Sequence, residues 1–196
     1  MTVPDLRTRI RDALSISGGA SSDFDLNKSI RPTGLTQTPA AVLVAIHPVL
    51  ETVILTKRSA RLKHHPGQIA FPGGKQDPTD ATLTDAALRE AHEEIGLPYG
   101  IVDVLGALPT HQTVTGYEMT PIVGMLTADY DPIPEAGEVS EVFEVPLSHL
   151  ANPENYRIEG RYWCGQRREY YAVPYGPYYI WGATARVLRG LAERLS

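Results

Sequence analysis

Residues 89–96 read Arg-Glu-Ala-His-Glu-Glu-Ile-Gly, and this stretch decides how the rest of the chain is interpreted. Side chains three and four residues apart share a helix face, so Glu90, Glu93 and Glu94 project together while Ala91 and Ile95 lie opposite. Glu90 and Glu94 repel each other by about 0.2–0.5 kcal/mol across one turn, and no lysine lies one turn away. The pattern predicts an amphipathic helix with an acidic face.

A divalent cation would relieve this repulsion, because carboxylate oxygens are ligands that Mg²⁺ and Mn²⁺ accept. Mg²⁺ usually combines one or two carboxylates with waters and substrate phosphates, so the ligand type favours a phosphate-containing substrate. The competing interpretation is an ordinary solvated acidic face. Thr82 and Asp85 resemble a capping box that would start the helix, and Gly96 is the expected C-cap.

The remaining pattern predicts an α/β fold. Leu6, Ile10 and Leu14 indicate a helix within residues 3–15, followed by a connecting loop at 17–25, and a last helix begins near Gly182. Glycines 160 and 165 suggest hairpin turns. Strands are expected at 41–46, 52–55, 68–71, 101–108, 117–126, 139–145, 156–159, 161–164 and 169–173. Strands with helices on both sides indicate an α/β/α sandwich with a mixed β-sheet. We expect one domain over residues 1–196, in which residues 1–39 precede the core.

Composition excludes several functional classes. With 196 residues and 42% hydrophobic residues, the chain can bury one core. No apolar run approaches the roughly 20 residues that span a bilayer, and no signal peptide is recognisable, so we expect a cytoplasmic protein without a membrane partner. The net charge of −5 argues against a nucleic acid polymer as partner. The single cysteine, Cys164, excludes an intramolecular disulfide and a multi-thiolate zinc site.

Two segments before the acidic helix suit a phosphorylated ligand. Residues 58–65 gather cationic or ionisable side chains in one loop of an otherwise acidic chain, at Arg58, Arg61, Lys63, His64 and His65. A solubilising loop is the alternative. Further along, Gly73 and Gly74 would let the backbone approach a metal or phosphate closely, although an ordinary β-turn has the same composition.

From Gly73 to Leu97 the chain resembles the Nudix hydrolases, whose signature is a glycine, a spaced acid, Arg-Glu, an apolar residue, any residue, Glu-Glu, any residue and Gly. The second half matches at every defined position. In the first half, strict spacing puts Lys75 and Ala81 where the glycine and the acid belong. Gly74 and Asp80 restore the match if one extra residue precedes Arg89.

The resemblance implies Mg²⁺ or Mn²⁺ held by Glu93 and Glu94, with Glu90 either completing the coordination or accepting the proton of a water. We expect Arg89 to orient a carboxylate of the site through an ion pair, with Asp80 as the candidate. Glu138 is a candidate general base or further metal ligand, and its rivals are Glu141 and Glu144.

Residues 55–74, LTKRSARLKHHPGQIAFPGG, are similar to the segment that marks the coenzyme A pyrophosphatase branch of this family, and the likeness extends over residues 40–195. It implies hydrolysis of coenzyme A to 3′,5′-ADP and 4′-phosphopantetheine. It also implies substrate contacts from a set of residues in this segment: Arg58, Arg61, Lys63, His64, Gln68, Gly73 and Gly74. The alternatives are a Nudix hydrolase of ADP-ribose or another nucleoside diphosphate derivative, and a catalytically silent nucleotide binder. Aromatic residues between 170 and 181 could stack on adenine or form a homodimer interface, and core packing is expected for most.

Overall fold

The computed structural model describes residues 5–30, 34, 36–163 and 165–196. Within these ranges nine strands form one mixed sheet, and two further strands form a separate hairpin. The helices are α1 (Leu6–Ser15), α2 (Leu83–Ile95), α3 (Leu147–Leu150) and α4 (Ala183–Leu195). The strands are β1 (Ser21–Ser22), β2 (Thr38–His47), β3 (Thr52–Arg58), β4 (Ile69–Ala70), β5 (Gly73–Lys75), β6 (Val102–Ala107), β7 (His111–Gln112), β8 (Tyr117–Leu126), β9 (Val139–Pro146), β10 (Arg157–Trp163) and β11 (Gln166–Ala172).

Strand β2 divides the core into two layers. Its side chains alternate across the sheet, as the period of two in a strand requires. Val42, Val44 and Ile46 join the apolar layer that includes residues of α1 and α4. Leu43 and its neighbours on the opposite face join the layer that includes the buried residues of α2. The predicted α/β/α sandwich with a mixed sheet is therefore confirmed.

The sheet splays apart between β2 and β3. These two strands pair only at Ile46 with Val53 and at His47 with Thr52. Beyond that point β2 pairs with β5 on one side and with β8 on the other, whereas β3 pairs with β4 and β9. The Gly73–Gly74 segment thus enters the sheet where it opens, and α2 packs against both β2 and β5. This opening positions the candidate site.

Several local predictions are confirmed and others are wrong. Thr82 and Asp85 form the expected capping box, and Gly96 ends α2 in the left-handed conformation with φ of 69°. The hairpin turn expected at Gly160 is wrong, because Gly160 pairs with Glu169 inside one continuous strand. The segment 17–25, expected as a connecting loop, contributes strand β1, which pairs in parallel with β7. Val3, in the expected first helix, and Cys164, at the end of an expected strand, lie outside the described residues.

Among the residues that the structure describes, no helix combines the length and the apolar character needed to cross a membrane.

Candidate functional site

Helix α2 brings an acidic side chain into the core. Ala86, Ala87, Ala91 and Ile95 are fully buried, which is the apolar face that the sequence predicts. Glu94 is only 4% exposed, although the pattern placed it on the polar face. The backbone N–H of Gly73 donates a hydrogen bond to Glu94 Oε2 at 3.2 Å. The splayed sheet therefore covers this carboxylate with the glycine segment.

The environment of Glu94 opposes a negative charge. Burial raises its pKa to about 8. The hydrogen bond from Gly73 and the positive charge of Arg58 lower this pKa, whereas the charges of Glu90 and Glu138 raise it further. Desolvation disfavours the charged form of any buried carboxyl group, and neighbouring carboxylates add to that cost. A bound cation would remove this penalty.

Glu90 lies directly beside Gly74. A Cβ on Gly74 would fall 2.5–2.8 Å from the atoms of the Glu90 carboxylate, a separation that only glycine avoids. A Cβ on Gly73 would fall 2.4 Å from the carbonyl oxygen of Ala41 in β2. Burial raises the pKa of Glu90, while Arg89 lowers it and the charges of Glu93 and Glu138 raise it. Both glycines are therefore needed for the close approach of backbone to sheet and carboxylate.

Arg89 donates hydrogen bonds to five oxygens of four residues around the site. Its Nε and Nη2 donate to the two carboxylate oxygens of Asp80 at 3.0 Å each, as the expected ion pair requires. Its Nη1 donates to Glu90 Oε1 at 3.0 Å and to Glu93 Oε2 at 2.9 Å. Its Nη2 also donates to the carbonyl oxygen of Lys75 at 3.1 Å, a contact that the sequence analysis missed because a backbone acceptor leaves no sequence signal. The guanidinium holds the pKa of Asp80 below its usual value.

The donor set fits a hard divalent cation. Glu90, Glu93 and Glu94 supply only carboxylate oxygens, the ligand type of Mg²⁺ and Mn²⁺. Two of these groups have raised pKa values caused first by burial. In the part of the chain that the structure describes, no three acidic, histidine or cysteine side chains are already arranged as a metal cluster. Arg89 contacts one carboxylate oxygen each of Glu90 and Glu93, so the second oxygen of each group would be left to hold an ion.

The charge of Glu138 influences two carboxylates of α2. Its charge raises the pKa of both Glu90 and Glu94. The rivals are engaged elsewhere, because Glu141 accepts a hydrogen bond from the Tyr178 hydroxyl at 2.5 Å and Glu144 accepts one from the hydroxyl of Thr52. Of these three acids, Glu138 is the one whose charge influences the carboxylates of α2.

The cationic segment divides into a part near the site and a part in solvent. Arg58, the last residue of β3, is close enough to lower the pKa of Glu94, and its buried Nε has no hydrogen-bond partner among the described residues. The backbone N–H of Arg58 donates to the carbonyl of Gln68 at 2.9 Å, which joins the two ends of the loop. Arg61, Lys63 and His64 are exposed. Their placement leaves them available to a ligand without joining them to the carboxylates.

The aromatic residues between positions 170 and 181 make contacts within the fold. Tyr178 stacks on Phe143 with ring centroids 3.6 Å apart. The Tyr179 hydroxyl donates to Glu159 at 2.6 Å and lies 3.2 Å from the Tyr170 hydroxyl. Tyr171, Tyr175 and Tyr178 pack against the core, as expected for most of this group, whereas Tyr179 is 41% exposed and lies outside it.

Three comparisons with known proteins agree with this geometry. The family model described as the NUDIX domain matches residues 37–163. The chain is 40% identical over 162 residues to the uncharacterized Nudix hydrolase NudL of Enterobacter sp. (strain 638), covering 82% of this chain and 84% of that protein. It is 41% identical over 171 residues to the NudL of Cronobacter sakazakii, covering 87% and 89%.

A solved structure shares the fold. The NUDIX domain of Shewanella oneidensis NrtR, complexed with ADP ribose, aligns with a TM-score of 0.51 and 17% identity over 87% of this chain and 93% of that one. At this identity the likeness shows the architecture alone, a mixed sheet between helices. The family model and the two NudL relatives place the protein in a defined class: the chain belongs to the Nudix hydrolase family. Members of this family generally use divalent metal ions such as Mg²⁺ or Mn²⁺.

Proposed function

We propose that the protein hydrolyses the pyrophosphate bond of coenzyme A, or of a derivative of it, to 3′,5′-ADP and 4′-phosphopantetheine in the presence of Mg²⁺ or Mn²⁺. One observation carries the proposal: Arg58, from the segment that resembles the coenzyme A branch, lies close enough to the buried Glu94 to lower its pKa. The segment that would select the substrate therefore has one residue, Arg58, near the acidic helix. Phosphate and metal would bind side by side there.

The carboxylates and Arg89 have distinct roles in this proposal. Glu90, Glu93 and Glu94 would hold the divalent ion, which when bound neutralises phosphate charge and lowers the pKa of a water. Arg89, fixed by Asp80, keeps the carboxylates of Glu90 and Glu93 oriented, as outer partners of metal ligands commonly do. Glu138 and Glu90 are the candidates to accept the proton of the attacking water, since their carboxylates are close enough to interact electrostatically.

Substrate recognition would come from the preceding segment. The buried Nε of Arg58 has no hydrogen-bond partner among the described residues, and a phosphate oxygen would supply one. Coenzyme A carries a 3′-phosphate that simpler nucleoside diphosphate derivatives lack. Arg61, Lys63 and His64, which are exposed, and Gln68 in the same segment would bind this additional charge.

A second candidate function is hydrolysis of ADP-ribose or another nucleoside diphosphate derivative. The observation in its favour is that the fold also occurs in the NrtR domain complexed with ADP ribose. A catalytically silent nucleotide binder is the third. We expect Glu93→Gln and Glu94→Gln to fold and to lose orders of magnitude in turnover, because each removes charge that a metal needs. Unchanged turnover in both variants would exclude the proposed metal site.

The experiment that tests the coenzyme A assignment compares coenzyme A with dephospho-coenzyme A. The double variant Arg61→Ala and Lys63→Ala should lose more kcat/KM on coenzyme A than on dephospho-coenzyme A, because only coenzyme A carries the 3′-phosphate. The matched control, Arg9→Ala with Arg11→Ala, removes two positive charges from α1 and should leave kcat/KM unchanged for both substrates. Equal losses on both substrates in the loop variant would show that the loop does not recognise the 3′-phosphate.

A homodimer, a cytoplasmic location and the organisation of residues 1–196 as one domain stay predictions from the sequence.

A further inference from the structure

A cavity with two arginines in its lining lies away from the acidic helix. It is bounded by residues 18–21, the connection from β6 to β7, and α4. Its volume is about 230 Å³. The lining residues that bear on its chemistry are Gly18, Gly19, Ser21, Arg186, Glu193 and Arg194. Its lining includes none of the residues assigned above to metal or substrate.

Arg186 is incompletely satisfied in this wall. Its Nε is buried and makes no hydrogen bond to any described residue. The acid facing it is Asp25, whose Oδ2 lies 3.5 Å from that Nε. The same oxygen already accepts the backbone N–H of Ser22 at 3.0 Å. The Nε of Arg186 therefore faces Asp25, whereas its Nη1 lies in the cavity lining beside Gly190. A Cβ on Gly190 would fall 3.8 Å from Arg186 Nη1 and 3.7 Å from Arg194 Nη1, so the two guanidinium groups meet at this glycine.

Arg194 reaches the same cavity from one end of the helix. Its Nη1 donates to the carbonyl oxygen of Gly190 in its own helix at 2.7 Å, and its buried Nε makes no hydrogen bond to a described residue. A Cβ on Gly18 would fall 2.1 Å from Arg194 Nη2. The missing side chain at Gly18 is what lets the guanidinium lie against this wall.

The acidic residue of the cavity is already neutralised. Glu193 accepts a hydrogen bond from Arg189 Nε at 2.8 Å, and nearly half of its side chain is exposed. Three arginines, Arg186, Arg189 and Arg194, outnumber the two nearby acids, Asp25 and Glu193, so the local charge is positive in a protein whose net charge is −5. Charged donors that are buried without acceptors are costly, and planar guanidinium groups match the oxygens of a phosphate.

We propose that this cavity is an anion site that binds inorganic phosphate or the phosphate end of a small ester, independently of the carboxylate site. The volume is below the roughly 300–1,000 Å³ of sites for drug-sized ligands, so a phosphate group fits the space better than a whole nucleotide does. The ligand is held between Arg186 and Arg194, with the Ser21 hydroxyl, which hydrogen-bonds His111 Nδ1 at 2.9 Å, as a neighbouring polar group.

The test is a titration of metal-free protein with inorganic phosphate at constant ionic strength, followed by ¹⁵N–¹H NMR. Glycine amides report the two sites separately: Gly18, Gly19 and Gly190 line or adjoin this cavity, whereas Gly73 and Gly74 adjoin the carboxylates. We expect saturable shifts at the first three amides. Arg186→Gln and Arg194→Gln should each weaken this binding about tenfold or more, because each removes charge-assisted hydrogen bonds.

The control variant is Arg11→Gln, which removes one positive charge from the exposed surface of α1 and should leave the phosphate titration unchanged. Shifts confined to Gly73 and Gly74 would overturn the proposal, as would equal weakening by Arg11→Gln. Identical shifts with acetate would overturn the phosphate assignment. Two separate arginine variants are used so that a folding defect in one leaves the other to decide.

Discussion

Arg89 and Asp80 form a two-point ion pair in which Nε donates to Oδ1 and Nη2 donates to Oδ2, both at 3.0 Å. Asp80 lies one residue before the position that the Nudix signature gives to its acid, and the turn before α2 still brings it to the arginine. The backbone N–H of Asp77 also donates to Asp80 Oδ2 at 2.8 Å, which fixes the turn. The extra residue in the signature is therefore absorbed without loss of the contact.

Replacing Asp80 should reduce activity without removing any metal ligand. In Asp80→Asn, Arg89 keeps its contacts to Glu90 and Glu93 but loses its main orienting partner. Loss of such outer partners typically costs about 10–100-fold in metal affinity or activity. Steady-state kinetics at several Mg²⁺ concentrations measure this, and Asp77→Asn, which changes a neighbouring carboxylate outside the ion pair, is the control. Activity equal to the unchanged protein at every Mg²⁺ concentration would show that the pair is not used.

The same pair predicts a pH dependence of stability. Hydrogen bonds from Arg89 hold the pKa of Asp80 below its ordinary value, so the carboxylate stabilises the folded state above that ordinary value. The contribution is lost as pH falls through the lowered folded pKa. The difference in Tm between the unchanged protein and Asp80→Asn should therefore be constant near neutral pH and shrink in acid. A difference that grows in acid would contradict the prediction.

Glu94→Gln should make the metal-free protein more stable while it removes activity. Burial raises the pKa of Glu94 to about 8, so the folded state resists ionisation that the unfolded chain allows near its ordinary value. The destabilisation starts above that ordinary value and reaches its full size above pH 8. The gain in Tm of the variant, measured in EDTA, should rise over this interval.

Glu93→Gln is the matched control for this experiment, because the Glu93 side chain is 57% exposed on the same helix. It should show a small change in Tm that does not follow the pH course of Glu94→Gln. Addition of Mg²⁺ should raise the Tm of the unchanged protein and not that of Glu94→Gln, since ligand binding to the folded state stabilises it. If Glu94→Gln were less stable than the unchanged protein at every pH, the charged form of Glu94 would not destabilise the folded state, and the prediction would be wrong.

Alanine substitutions at Gly73 and Gly74 should have different effects on stability and activity. In Gly73→Ala the new Cβ would meet the backbone of β2, at 2.4 Å from the Ala41 carbonyl oxygen, so we expect a clear loss of Tm. In Gly74→Ala it would meet the Glu90 carboxylate, a side chain that can move, so the fold should survive while turnover falls. Differential scanning fluorimetry and kinetics separate the two effects. Equal effects of both substitutions on Tm would contradict the assignment.

The sequence predicts the acidic helix α2 because the residues that determine its start, its buried face and its end are close together in the chain. The capping box at Thr82, the apolar positions of α2 and the end at Gly96 all follow from neighbours within a few residues. The ion pair of Arg89 with Asp80 was expected from the resemblance to the Nudix signature, in which Asp80 is the candidate acid. The burial of Glu94 was not predictable, because it depends on the Gly73–Gly74 segment entering the splayed sheet.

Two strands that the sequence does not predict, β1 and β5, depend on partners that are distant in the chain. Strand β5 is Gly-Gly-Lys, which has low strand propensity, and it exists because β2 offers it a pairing partner. Strand β1 likewise depends on a distant parallel partner in β7. The sequence predicts a turn at Gly160 because glycine often marks one, yet Gly160 pairs with Glu169 inside the hairpin, because the partner strand continues past it.

The most direct test of the proposed activity is incubation of the purified protein and Mg²⁺ with coenzyme A, dephospho-coenzyme A, ADP-ribose and diadenosine polyphosphates, with the products identified by mass. We predict that 3′,5′-ADP and 4′-phosphopantetheine form from coenzyme A faster than any other substrate is cleaved, and that EDTA abolishes the reaction. Faster cleavage of another compound would contradict the coenzyme A assignment, and no hydrolysis with either Mg²⁺ or Mn²⁺ would contradict the catalytic role of the carboxylate site.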